Sequence, residues 1–310
     1  ARGLFTGGSN GHSGSTNASG GRSRGVAPRA TVSSLRLPGP LHGATAVASG
    51  DRLLVIGGAD RADVSTNRVL ALDPRTGRVS PAGTLVQPLH DAAAASLGGR
   101  ILVFGGGAAT SYDTVQELSP RGSARPVGRL PTGLSDLSAV SIGGTTYVLG
   151  GYDGQRPSAS VFRTTDGRSF TTAARLPTAV RYTAAAALGS RIYAFGGELS
   201  TGGDTDRIQA YDSGTGRASV IGHLAQGVDH ASAVVLNGVI YLLGGRRSGA
   251  PSDRILRFDP SSGATRPAGR LPRPVYDAAA GSAAGVGYLA GGIGPQGTSV
   301  DSVVALSENP

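Results

Sequence analysis

Six times along the chain a glycine pair follows a short apolar run. Leu53-Leu54-Val55-Ile56 precedes Gly57-Gly58, and Ile101-Leu102-Val103-Phe104 precedes Gly105-Gly106. Further doublets stand at Gly150-Gly151, Gly196-Gly197, Gly244-Gly245 and Gly291-Gly292. Their first glycines lie 48, 45, 46, 48 and 47 residues apart. Around each doublet the same order of parts recurs. An Ala-rich run (Ala44 to Ser49, Ala92 to Leu97, Leu137 to Ile142, Ala184 to Leu188, Ala231 to Leu236, Ala278 to Ala283) leads through a Gly-containing turn into the apolar run. A third strand follows, then a turn such as Asp73-Pro74-Arg75-Thr76-Gly77, then a fourth strand ending near Leu, usually Leu-Pro. Four short strands in a unit of nearly fifty residues predict an all-β, six-bladed β-propeller with four-stranded blades.

The Ala-rich runs have the composition of helix. Each is about six residues, is bounded by glycine and precedes a strand, so we read them as innermost strands. There the blades converge on the axis and only small side chains fit. The doublets fit the same crowding, because glycine lets backbones approach closely. The sixth unit stops after its third strand, and Ala30 to Leu37 at the other end carries the fourth-strand pattern. The N-terminal strand is therefore expected to complete the last blade and hide the ring's edges. The division expected is a flexible Gly/Ser-rich tail over residues 1–25 and a propeller over 26–310.

Composition narrows the chemistry. There is no cysteine, so disulfides, thiolate metal sites and cysteine nucleophiles are excluded. All 29 basic residues are arginine and the net charge is +9. The arginines are spread over every blade and aromatics are 5% of the chain, which is not the basic, aromatic-interleaved stripe of a nucleic-acid binder. No specific nucleic-acid partner is expected. No apolar run reaches the length of a membrane span.

The doublets, the aromatic-Asp pairs Tyr211-Asp212 and Phe258-Asp259 (weakened to Leu72-Asp73 in the first unit) and the Leu-Pro endings resemble the kelch repeat. The resemblance covers about residues 30 to 308. It implies the propeller fold and leaves the activity open, since kelch propellers include protein-binding domains, oxidases and sugar-isomerising enzymes. The fourth-strand tryptophan usual in the family is missing everywhere. Phe170 and Val79 stand at that offset, so lighter outer packing is expected. An oxidase of the radical-copper type would need a cysteine, which this chain lacks.

Strand alternation places the loops after the doublets and the entries to the innermost strands on one face, here called the doublet face. Fifteen residues before each doublet stand His42, His90, Ser135, Arg181, Asp229 and Tyr276. The next positions are Gly43, Asp91, Asp136, Tyr182, His230 and Asp277. From these sets His42, His90, Asp91, Asp136, Arg181, Tyr182, Asp229, His230, Tyr276 and Asp277 form the candidate binding site at the channel mouth. The plain alternative is that they are solvated turn residues. His230 beside Asp229, with Arg181 and Tyr276 on flanking blades, is the most enzyme-like corner. As strand starts, Arg181, Tyr182, His230 and Tyr276 are expected to accept Ala at little cost in stability. No catalytic residue, metal ligand or cofactor is assigned.

The opposite face carries repetitive turns bearing Arg52, Arg75, Arg78, Arg100, Arg121, Arg168, Arg191 and Arg217, which read as solubility or weak polyanion contact. Thr164 to Phe170 faintly resembles the Asp-box turn of sialidases, one residue short, and is read as a turn only. The function expected is a non-enzymatic, extracytoplasmic (secreted or surface-tethered) binding or scaffold propeller taking a protein or glycan on the doublet face. The alternatives are a carbohydrate-active enzyme of sugar isomerase or mutarotase type at the channel mouth, and a self-assembling subunit using its N-terminal tail.

Overall fold

The computed structural model describes residues 27–119 and 122–308. The tail expected over residues 1–25, and any self-association through it, lie outside the described residues. Every regular element among the described residues is a strand, and no helix there could cross a membrane. Six four-stranded antiparallel sheets stand in sequence order. The first is Thr45–Ser49, Arg52–Ile56, Thr66–Asp73 and Arg78–Leu89. The second is Ala93–Leu97, Arg100–Phe104, Thr114–Leu118 and Ala124–Arg129. The third runs from Ser135–Ile142 to Thr171–Val180, the fourth from Ala184–Leu188 to Arg217–His223, and the fifth from Ser232–Leu236 to Ala264–Arg270.

The sixth blade is composite. Ala279–Ala283, Val286–Ala290 and Ser302–Glu308 are joined at the outer edge by Pro28–Arg36 from the other end of the chain. Pro28 pairs with Glu308 and Val32 with Val304 in antiparallel register. The ring thus closes by a strand pairing that no single repeat contains, as the missing fourth strand of the last repeat required.

The Ala-rich runs are the innermost strands, and Ala93, Ala94 and Ala95 are all buried. There is no single core. Apolar residues gather in six wedges, one between each pair of neighbouring blades. Aromatic side chains fill the wider parts. Phe104 of the second blade meets Phe170 of the third edge-on at 6.3 Å, and Tyr193 and Phe195 of the fourth meet Phe258 of the fifth at 4.9 and 5.0 Å. Phe170, at the sequence offset of the family tryptophan, thus packs across the boundary between the second and third blades.

The doublets clamp neighbouring blades. All twelve glycines hold positive φ. A Cβ on Gly105 would lie 2.2 Å from the Leu134 carbonyl oxygen, and one on Gly196 would lie 2.1 Å from that of Val228, both in the segment entering the next blade. The second glycine of the pair donates to the same carbonyls, Gly106 to Leu134 at 2.9 Å and Gly197 to Val228 at 2.7 Å. A second set of glycines does the same at the rim. Gly83, Gly128 and Gly222 leave no room for a Cβ, because the turn of the next blade docks against them through Gly122, Gly167 and Gly263. Their signal, a glycine two residues before the closing Leu of the fourth strand, is legible in the sequence.

The clamp gives a paired test. Gly189 and Gly196 share φ +61°, yet a Cβ on Gly189 would meet nothing within 4 Å. Gly189→Ala is expected to cost about 1 kcal/mol of left-handed strain. Gly196→Ala, with the added backbone clash, is expected to cost at least about 3 kcal/mol in denaturant unfolding. Equal costs would remove the clamp from the account. Closure is tested by truncation. Removing residues 1–25 should leave the melting temperature nearly unchanged, whereas removing 1–38 strips the closing strand, exposes an edge and should cause aggregation or a large loss of stability.

Candidate functional site at the channel mouth

Where each innermost strand begins, one residue takes the left-handed conformation. Gly43, Asp91, Asp136, Tyr182, His230 and Asp277 have φ of 59°, 52°, 58°, 53°, 49° and 58°. Each donates its amide hydrogen to the carbonyl of the equivalent residue one blade earlier. The bonds run Asp91 to Gly43 (2.7 Å), Asp136 to Asp91 (2.8 Å), Tyr182 to Asp136 (3.0 Å), His230 to Tyr182 (3.1 Å) and Asp277 to His230 (2.9 Å). Gly43 donates to Asp277 at 3.1 Å and completes a closed ring of six around the channel. The residue type at this position follows from the backbone: Asp and Gly tolerate φ > 0, while Tyr182 and His230 sit there against their preference. The expectation that Ala could replace Tyr182 and His230 at little cost is corrected by this positive φ, because Ala would carry left-handed strain at both.

The preceding residue turns outward and pairs with the residue just after the doublet. His42 bridges to Ala59, His90 to Gly107, Arg181 to Glu198, Asp229 to Arg246 and Tyr276 to Ile293. This register brings in three side chains missed among the candidate residues: Tyr152, Glu198 and Arg246. All stand two residues after the first doublet glycine, a position as regular in the sequence as those that were used.

Eight of the ten candidates converge. Asp229 is buried and accepts two bonds from Arg246, from Nε (3.0 Å) and Nη2 (3.0 Å). It also lies 2.9 Å from Nδ1 of His230, which fixes the proton on that nitrogen and leaves Nε2 without a protein partner among the described residues. Arg246 reaches Glu198 at 3.2 Å. The His230 ring stacks on Tyr182 at 3.5 Å and meets Tyr276 edge-on at 5.8 Å. The Arg181 guanidinium lies over both Tyr152 (4.3 Å) and Tyr182 (4.5 Å) and donates to the Tyr182 hydroxyl at 2.8 Å. Its Nε lies 2.8 Å from Oδ2 of Asp136 but does not point its hydrogen at that oxygen, so the two form an ion pair without an aligned hydrogen bond.

His42 and His90 lie at the edge of this group, with His90 Nε2 3.8 Å from Oδ2 of Asp91. His42 Nδ1 bonds Ser299 Oγ (2.9 Å) and His90 Nδ1 bonds Ser65 Oγ (2.9 Å), each in the post-doublet loop of the preceding blade. They link neighbouring blades, and burial holds both below the ordinary imidazole range. No group of three or more His, Asp or Glu among the described residues is arranged to hold a metal ion.

The ring side chains line a well of about 130 Å³. Asp91, Asp136 and Asp277 all face it. Burial raises all three. Asp91 is pushed up to about 6 and Asp136 to about 7, the latter also by the charge of Asp91. Asp277 is raised well above the carboxylate range by burial and by the two other aspartates. Burial also raises the Tyr182 hydroxyl, which donates to Asp91 at 3.4 Å. Asp229 goes the other way: burial opposes its charge, but the bonds from His230 and Arg246 hold it below its usual value.

The opposite face is chemically quieter than its arginines suggest. Arg52 pairs with Asp73 (3.2 Å), Arg75 with Asp51 (3.6 Å), Arg100 with Glu117 (2.9 Å) and Arg191 with Asp212 (3.0 Å). The aspartate of the aromatic-Asp pair also caps its turn, Asp212 accepting from the amides of Gly214 and Thr215. Asp166 caps its own turn in the same way from Arg168 and Ser169, so the segment resembling an Asp-box is this turn. Arg121 lies outside the described residues.

Comparison with known proteins agrees with the architecture. The Kelch motif matches residues 40–85, 133–163 and 229–264, in the first, third and fifth blades. The structure of YjhT superposes with a TM-score of 0.78 at 16% identity, over 89% of this chain and 97% of that one. At that identity the likeness shows the fold alone. No curated protein matches the chain.

The carboxylate well makes a prediction about pH. Because the folded pKa of Asp91 is raised, its contribution to stability is full below the unfolded value near 3.8 and is lost as pH rises through about 6. Asn keeps the left-handed conformation and removes the charge. Asp91→Asn should therefore gain stability relative to the wild type between pH 4 and pH 8, by about 1–3 kcal/mol, with the gap level above pH 7. Unfolding curves at pH 4, 6 and 8 measure it, and a constant gap would show that Asp91 is not desolvated.

Proposed function

Because this chain is a kelch-repeat β-propeller, we propose that it is a binding module whose recognition site is the doublet face around the channel mouth, taking a protein or a glycan. The observation that carries this reading is the asymmetry of that face. Tyr152, Arg181, Tyr182, Glu198, His230, Arg246 and Tyr276 form one continuous aromatic and charged surface over the third to sixth blades. The first and second blades carry Ala59 and Gly107 at the matching position. Rigid aromatic rings flanked by oriented arginines are what protein hot spots and sugar-binding faces share. Their placement on a fixed backbone ring means that little ordering accompanies binding. Kelch propellers commonly bind proteins, which supports the same reading.

A second reading has its own observation. Arg246, Asp229 and His230 form a chain in which the imidazole is oriented and its Nε2 left free, beside carboxylates raised to about 6 and 7. That arrangement could exchange protons with a sugar near neutral pH. It favours the carbohydrate-active alternative over self-assembly. Sugar turnover with a pH profile set by these groups would select it over simple binding.

The binding reading is tested by affinity capture from native surroundings and by a glycan array, using the intact propeller. Replacing Arg181 and Arg246 together with Ala should weaken capture at least about tenfold while the fold survives. Both residues precede or flank the left-handed ring, so no φ strain is introduced. The matched pair Arg168→Ala and Arg217→Ala on the opposite face should leave specific capture intact. The reverse pattern would place recognition on the other face.

A further inference from the structure

The well beneath the mouth is lined by acids, although the whole protein is basic. Its lining carries Asp91, Asp136, Asp277 and the oriented His230, and no arginine. Apart from Tyr182 and Thr183, the rest of the wall is small or apolar. Several acids elsewhere pair with arginine, as Asp212 does with Arg191 and Asp253 with Arg270. Asp277 has no ion pair and no side-chain partner among the described residues, with only the Gly43 amide against it. Asp91 has His90 Nε2 at 3.8 Å and the Tyr182 hydroxyl at 3.4 Å, and its carboxyl also shares a hydrogen bond with that of Asp136. Asp136 is buried, and Arg181, its one ion-pair partner, leaves its Oδ2 without a hydrogen bond. Arg246 is taken up by Asp229 and Glu198.

Gly43 shapes the well. A Cβ there would stand 2.8 Å from Oδ1 of Asp91, so the missing side chain is the space into which Asp91 leans, toward Asp277. Three carboxylates thus come from the second, third and sixth blades toward one small volume. At about 30 Å³ per water, the well holds about four water-sized groups. That suits a compact cationic head group. A primary ammonium is such a group: a point charge with three donors, one for each carboxylate. The Tyr182 and His230 rings at the wall suit the methylene or ring carbon that carries it.

Resting on the binding reading above, we propose that the well receives a primary ammonium group of the partner, seated among Asp91, Asp136 and Asp277. Two sources share this chemistry, the amine of an amino sugar and the side chain of a lysine. The carboxylates lose their protons to fit it, so binding releases protons near neutral pH. Affinity rises with pH while the amine stays charged, which a lysine side chain does up to about pH 10. The charged or titratable groups facing the three aspartates are Arg181, Arg246, His90, His230 and Tyr182.

Titration calorimetry on the intact chain tests this with glucosamine, N-acetylglucosamine, Nα-acetyl-lysine methylamide and its ε-acetylated form. Each free amine is expected to bind at least about tenfold tighter than its acetylated counterpart at pH 7, where both amines carry charge, and more weakly at pH 5. Whichever amine binds tighter identifies the source. Asp277→Asn and Asp91→Asn keep a residue that accepts positive φ, and should keep or raise the melting temperature while losing the preference for the free amine. The proposal falls if free and acetylated forms bind alike, if the Asn variants keep the preference, or if calcium alone binds with the same dependence on these aspartates. If it falls while Arg181 and Arg246 still govern capture of a partner, the binding reading stands. If those substitutions also have no effect, both fall.

Discussion

Six backbone hydrogen bonds, one per blade, form a closed loop around the channel, and the rest of the molecule is built to present them. Each bond joins a residue to its equivalent one blade earlier, so the loop closes only if all six blades are present and in order. The left-handed conformation turns each amide toward the preceding blade. It also turns each side chain of the ring toward the axis. Structure and site therefore share one set of residues. A propeller whose blades meet through small side chains gains little from any one interface. The ring, the glycine clamps and the strand exchanged between the chain's two ends tie neighbours together where apolar packing is thinnest.

The fold was legible because its determinants repeat. The Gly57-Gly58 type of doublet appears at every turnaround since no other residue fits against the next blade's carbonyl, and sterics leave a clear mark in sequence. The site was half legible. Positions such as Asp91, Tyr182 and His230 were found by register alone. Register could not say that His42 and His90 face Ser299 and Ser65 across a blade boundary, nor that Tyr152, Glu198 and Arg246 complete the cluster. Those partners are set by strand pairing between loops that differ in length from blade to blade. The positive φ at the ring was also hidden, because Tyr and His do not announce it as Gly or Asn would.

The two faces differ in how charge is handled. On the far face, arginine and aspartate pair within one blade, as Arg191 does with Asp212, and the turns are self-contained. At the mouth, charges meet across blades, and burial changes what they are. The carboxylates of Asp91 and Asp136 are poised near neutrality, while Asp229 is fixed as an anion by His230 and Arg246. Acids of one residue type thus hold two electrostatic states within one small surface.

The exchanged strand also gives the molecule a direction. Pro28 and Glu308 are paired partners in the sixth blade, at the end of that sheet remote from the doublet loops. Both described ends of the chain therefore lie on the far side. A support that held the propeller at Pro28 or Glu308 would hold it by its back, and the proposed recognition face would be the part left pointing away.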